Sequence, residues 1–167
     1  TVNKTPTDIS LSSTYIYENI DAVSTIATIS TINADYSDSH TYGFISGEGD
    51  TDNDSFTLDG NKLKINASPD YETKSSYNIR LKTTDSEGSS YEKAVTLTVN
   101  KTPTDISLSE ISFNENINAA SKVALLSTID ADGSDSHTYE LISGEGDTDN
   151  DSFIIEGNKL KINDSPD

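Results

Sequence analysis

Residues 1–70 of this chain return at 98–167. A shift of 97 positions superimposes the two stretches without a gap and leaves 51 of 70 residues identical, with the first twelve letters, TVNKTPTDISLS, recurring whole. A period near 100 is too long for repeats that share one continuous core, so each copy must own its core, and the chain reads as beads on a string. Residues 1–100 make one complete repeat. Residues 101–167 make a partial second one, because residues 71–97 have no second copy.

Apolar residues alternate with a period of two. In Tyr77, Ile79, Leu81 and again in Val95, Leu97, Val99 they take every other place, as half-buried antiparallel strands require. Seven or eight such segments fit the first repeat, placed near 8–12, 15–18, 24–31, 41–46, 56–59, 62–65, 76–84 and 91–99. Between them Ser46-Gly47-Glu48-Gly49, Asp59-Gly60-Asn61 and Ser86-Glu87-Gly88 supply turn chemistry. Many short strands with regular turns over about 100 residues predict an all-β sandwich. The partial repeat lacks the two longest strands, so it should expose core and a sheet edge, be only partly stable, or borrow strands through self-association.

Twenty-nine acidic residues against eleven basic ones leave a formal charge of −18 and a pI near 4.1. Nucleic acid and anionic lipid are excluded as partners by sign, whereas a divalent cation would relieve the self-repulsion of the compact chain. No cysteine is present, so neither disulfides nor thiolate metal sites staple the repeats. No apolar run approaches the roughly 20 residues of a membrane helix, and no signal peptide opens the chain. Without an initiator Met it reads as an excerpt, with any targeting signal outside it.

Several short elements follow one another in a fixed order. Glu18-Asn19 comes after the first strands, Asn33-Ala34-Asp35 after the third, and Asp70-Tyr71-Glu72 before the seventh. Thr84-Asp85-Ser86-Glu87-Gly88 comes next, and Val99-Asn100-Lys101-Thr102-Pro103 lies at the repeat boundary. Over essentially its whole length the chain resembles the cadherin-like repeats strung together in large bacterial surface adhesins. The resemblance implies an immunoglobulin-like Greek-key sandwich in tandem, the second copy truncated, serving as an extracellular, non-enzymatic, membrane-associated adhesion module stiffened by calcium. Its partners would be calcium, neighbouring repeats of the same chain and a cell-surface glycan or protein.

In that family calcium sits between successive repeats. Carried over residue by residue, the ligands would be Glu18 near the start of the first repeat, Asp70 and Glu72 late in it, Asn100 in the linker, and Asp130 and Asp132 in the next repeat. The matching set at the opposite end of the first repeat is Asn3, Asn33, Asp35 and Asp85, amide-rich and therefore weaker. All are oxygen donors, as calcium prefers. The linker departs from the family's Asp-x-Asn-Asp-Asn at two places, where Thr98 and Lys101 stand for acids. Two carboxylates are lost and a cation gained, so the full set of ions is not expected. The Lys101 ammonium should take the place of one of them against Glu18, Asp70 or Glu72.

The ten letters GEGDTDNDSF, at 47–56 and again at 144–153, imitate the front of a calcium loop with Asp50, Asp52 and Asp54. An EF-hand needs Gly and Glu at the sixth and twelfth places, which here hold Ser55 and Asn61. A solvated acidic turn is the expectation. Gly47-x-Gly49 is no phosphate cradle, since Asp50 follows and no helix does. His40 and His137, at matching places, are read as packing or hydrogen-bonding residues, for no Ser, His and Asp constellation is organised around them. An alternative function rests on tyrosines: Tyr15, Tyr17 and Tyr36 as a carbohydrate platform.

Overall fold

The computed structural model describes residues 2–34, 38–133 and 135–166. Two units divide the chain, Thr1–Lys101 and Thr102–Asp167. In unit 1 the alternation becomes eight strands: β1 (Asp8–Leu11), β2 (Tyr15–Tyr17), β3 (Thr25–Ile32), β4 (His40–Phe44), β5 (Phe56–Asp59), β6 (Lys62–Ile65), β7 (Ser76–Asp85) and β8 (Ser90–Asn100). Each lies within two residues of its expected place. They form two four-stranded sheets, β1-β3-β6-β5 and β2-β8-β7-β4. Lettered A, A′, B, C, D, E, F and G, the first is A-B-E-D and the second carries C-F-G with A′ at its edge, which is the immunoglobulin-like arrangement.

One core lies between the sheets. Ile9, Ala27, Ile29, Leu63 and Ile65 come from the first, and Ile16, Ile79, Leu81 and Leu97 from the second. Each fully buried Ile or Leu contributes about 1.5–3 kcal/mol. Phe56 and Tyr77 meet edge to face across the sandwich, centroids 5.3 Å apart. Thr83 is fully buried on β7, and its hydroxyl lies 2.6 Å from that of Thr31, which donates to the Tyr42 hydroxyl at 3.1 Å. The buried Thr83 hydroxyl is thereby satisfied by its half-buried neighbour Thr31.

One strand departs from the antiparallel expectation. β2 pairs in parallel with β8, in the register Tyr15↔Thr98, Ile16↔Val99 and Tyr17↔Asn100. Only residues 12–14 separate it from β1, so the chain steps from one sheet to the edge of the other. Its partner lies some 80 residues on, and side-chain alternation is blind to which strand a segment will pair with.

Among the described residues, unit 2 holds one sheet, β11-β12-β10-β9, from β9 (Asp105–Leu108), β10 (Lys122–Ile129), β11 (Phe153–Glu156) and β12 (Lys159–Ile162). It repeats the β5-β6-β3-β1 sheet of unit 1. Residues 112–114 and 137–141, the counterparts of β2 and β4, are not strands. In unit 1 those two strands hydrogen-bond to β8 and β7, which have no second copy in the sequence. Burial follows the facing sheet, since β1 and β9 are both paired but, among the described residues, only unit 1 has a second sheet to cover its strand. Ile9 is 0% exposed while its twin Ile106 is 57% exposed, and Ile16 at 1% contrasts with Phe113 at 44%.

Amide hydrogen exchange should therefore be faster throughout 105–162 than in the matching strands of unit 1. Appending residues 71–97 after Asp167 should bring the two into line. Equal protection in the unextended monomer would contradict this account.

Candidate functional site

The C-terminal end of unit 1 is assembled by backbone hydrogen bonds. Directly after β2, the Glu18 N–H donates to the Asn100 carbonyl at 2.9 Å. Asn19 adopts a left-handed φ of 60° and donates to the Pro69 carbonyl, also at 2.9 Å. Asparagine tolerates that conformation better than most residues. Glu18, Asn100 and the residue before Asp70 are thus tied together, although they lie far apart in sequence.

Asp70 is largely engaged by its own turn. One carboxylate oxygen accepts the Glu72 N–H at 3.0 Å and the other the Thr73 hydroxyl at 2.7 Å. The Thr73 hydroxyl, then the Glu72 N–H, holds its pKa below the ordinary 3.8, and Lys101 adds to the effect. Lys101 turns back over this end. Its ammonium ion-pairs with Glu72 and sits 5.6 Å from the centre of the Tyr71 ring. Glu72 first, with Glu18 contributing through charge, raises the Lys101 pKa.

At the opposite end of unit 1, Asn3 donates to Asp85 at 3.0 Å and to the Ser89 hydroxyl at 3.2 Å. Asp85 is buried, and its other oxygen accepts the Glu87 and Ser89 N–H groups at 3.0 and 2.8 Å. Burial pushes its pKa up, but the Asn3 amide and the turn N–H groups outweigh that and hold it low. Asn33 donates to Asp38 at 3.4 Å and lies 3.3 Å from His40 Nε2. Ser86 reaches the same Asp38 at 3.4 Å. Asp35 and Tyr36 lie outside the described residues. Asp38 escaped the sequence reading; the signal was its place two residues before the repeated histidine.

In unit 2 the side chain of Asp130 is 4% exposed. Its oxygens accept the Asp132 N–H at 3.1 Å and meet His137 Nε2 at 3.0 Å. The Asp132 N–H, then His137, lowers its pKa. Asn33 and His40 make the matching contact in unit 1, so both histidines are hydrogen-bonding residues.

The repeated acidic loop corrects an expectation. It is not a solvated turn in unit 1. Asp50 accepts the Gly47 N–H at 2.9 Å, closing the loop on itself. Asp52 is only 8% exposed, with Lys74 Nζ at 2.5 Å on one oxygen and the Asn78 N–H at 2.7 Å on the other. Asn53 bridges the Ile45 carbonyl at 3.1 Å and the Arg80 N–H at 2.9 Å. Burial alone would raise the Asp52 pKa, yet Lys74 and Asn78 more than offset it. The loop is a clasp onto β7. In unit 2, Asp147 and Asn150 keep the bonds to Gly144 and Ile142, while Asp149, the twin of Asp52, is exposed.

The donor set suits a hard cation, being carboxylate and amide oxygen throughout. Among the described residues of either unit, however, no three His, Asp or Glu side chains form a group able to hold a metal ion. In unit 1 the reason is visible: Asp70 is spent on its own turn and Glu72 on Lys101. In unit 2 Asp130 is likewise engaged, by the Asp132 N–H and His137, and in unit 1 the Glu72 position does not fit a metal ion while Lys101 is there. Tyr15 and Tyr17 are exposed on β2.

No family model matches the chain, and no curated protein does. Solved structures do resemble it. The protocadherin GammaB4 extracellular domain is 20% identical over 98% of this chain and 28% of its own, with a TM-score of 0.41. The human desmocollin-1 ectodomain is 14% identical over 98% and 34%, with a TM-score of 0.46. Human protocadherin-24 EC1-2 is 17% identical over 96% and 79%, with a TM-score of 0.43. The chain thus spans about a third or less of the first two.

Replacing Asp52 by Ala should cost unit 1 about 1–3 kcal/mol, because the Asn78 N–H loses its carboxylate partner. Asp149→Ala, at the identical place in unit 2, should stay within about 0.5 kcal/mol. Calcium should not rescue Asp52→Ala. Urea unfolding of both variants checks this, and equal losses would refute the clasp.

Asp52, Asp70 and Asp85 all have folded pKa values below the ordinary 3.8. Their contribution is whole above that value and is lost as pH falls through the depressed values. Between pH 7 and 5 falling charge repulsion acts the other way, so the thermal midpoint should hold or rise there. It should drop below about pH 4. Circular dichroism melts across that range would show it.

Proposed function

We propose that this chain is a non-enzymatic, extracellular, cadherin-like sandwich repeat, a spacer of a large surface or secreted adhesin of the bacterial kind, whose repeat boundary near residues 100 and 101 takes calcium. The observation that carries the reading is the pair of backbone bonds, Glu18 to Asn100 and Asn19 to Pro69, that gathers oxygen donors where the chain leaves unit 1. Calcium takes six to eight oxygens, more than either unit offers alone. Glu18 and Asn100 would serve from one side and Asp130 and Asp132 from the other. Bound there, calcium supplies two positive charges that join the repeats and offset the carboxylate repulsion.

Duplication of a whole module suits a mechanical unit better than an active site, and His137 is held by Asp130 rather than beside a nucleophile. Extracellular calcium modules bind at about 10⁻⁴–10⁻³ M, which matches a compartment rich in the ion. Small-angle scattering should show a longer particle of narrower length distribution in millimolar calcium than in chelator. An unchanged distribution would remove the spacer mechanism.

A further inference from the structure

At the C-terminal end of unit 1, Asp70 and Glu72 share one turn, the Glu18 backbone is tied to Asn100, and a lysine from the same chain turns back toward them. The Lys101 ammonium pairs with Glu72 and sits over the Tyr71 ring; its side chain is 20% exposed. Glu18 and Asp70 both lie within its electrostatic reach. Asn100, whose carbonyl holds Glu18, is its neighbour in sequence.

We propose that Lys101 is the resident cation of this end: a tethered ammonium that neutralises the carboxylates around Glu72 in place of a divalent ion. The tether decides the chemistry. A covalently attached cation cannot be chelated or diluted away, so this half of the boundary stays ordered without calcium. An ammonium carries one charge and bonds partly exposed carboxylates, so its hold weakens as monovalent salt screens it. Any calcium at the boundary is then confined to the oxygens of Glu18, Asn100, Asp130 and Asp132. The substitution belongs to the repeat, since Asn3-Lys4-Thr5-Pro6 opens the first copy as Asn100-Lys101-Thr102-Pro103 opens the second. The confinement of calcium rests on the function proposed above; the role of Lys101 at its own end does not.

Amide exchange at Glu18, Asn19 and Glu72 of the full chain reads this end directly. In chelator the unaltered protein should keep its protection at low salt and lose part of it in 0.5 M NaCl, to roughly the two- to fivefold extent of a partly exposed ion pair. Lys101→Gln should lose the same protection in chelator at low salt and recover it in millimolar calcium, whereas Lys101→Arg should behave as the parent. Protection in Lys101→Gln equal to the parent's, in chelator at low salt, would overturn the proposal. Calorimetric calcium titration of the parent separates the two readings. No heat of binding, with lysine-dependent protection intact, would sink the calcium boundary and leave the resident lysine standing.

Discussion

The β7–β8 hairpin is paired from Ser76↔Thr98 to Thr84↔Ser90, and unit 1 is organised around that ladder. It gives the core Ile79, Leu81, Leu97 and Val99, offers β2 and β4 the edges they bond to, and receives the Asp52–Asn53 clasp. It also delivers Asn100 and Lys101 to the end where Glu18 waits. Unit 2 shows by comparison what that ladder contributes. With the hairpin absent from the sequence, one sheet persists, two strands go unformed, and the acidic loop keeps its local bonds while Asp149 stays exposed.

Charge is managed inside this scaffold one carboxylate at a time. Asp8 is held by Lys93, Asp52 by Lys74, Asp59 by Lys64 and Glu72 by Lys101. Asp70, Asp85 and Asp130 are met instead by N–H groups of their own turns. Eleven cations face twenty-nine acids, which leaves the chain its formal charge of −18.

The strands were legible because each buries one face, which stamps a period of two on residues such as Ile79, Leu81 and Leu97. Their pairing was less so: the parallel meeting of β2 with β8 depends on a partner some 80 residues away. The acidic loop misled for the same reason. Asp50, Asp52 and Asp54 look alike in sequence, and only Lys74, just before β7, and Asn78, on β7, make Asp52 a buried clasp. At the candidate site, Glu18, Asp70, Glu72 and Asn100 came from a family resemblance, while the bonds gathering three of their segments cross 50 to 80 residues. Lys101 was visible as a misplaced cation with three candidate partners, and geometry selects Glu72. Asp38 was overlooked although it stands two residues before the repeated histidine, because Asn33 and Ser86 meet it only in the fold.

Anomalous diffraction from crystals of a two-repeat chain completed through its missing hairpin and grown in millimolar calcium tests the central claim most directly. The account predicts a calcium peak about 2.3–2.6 Å from oxygens of Asn100, Asp130 and Asp132, with the Lys101 ammonium still on Glu72. A boundary without a peak, its acids turned away from one another, would contradict it.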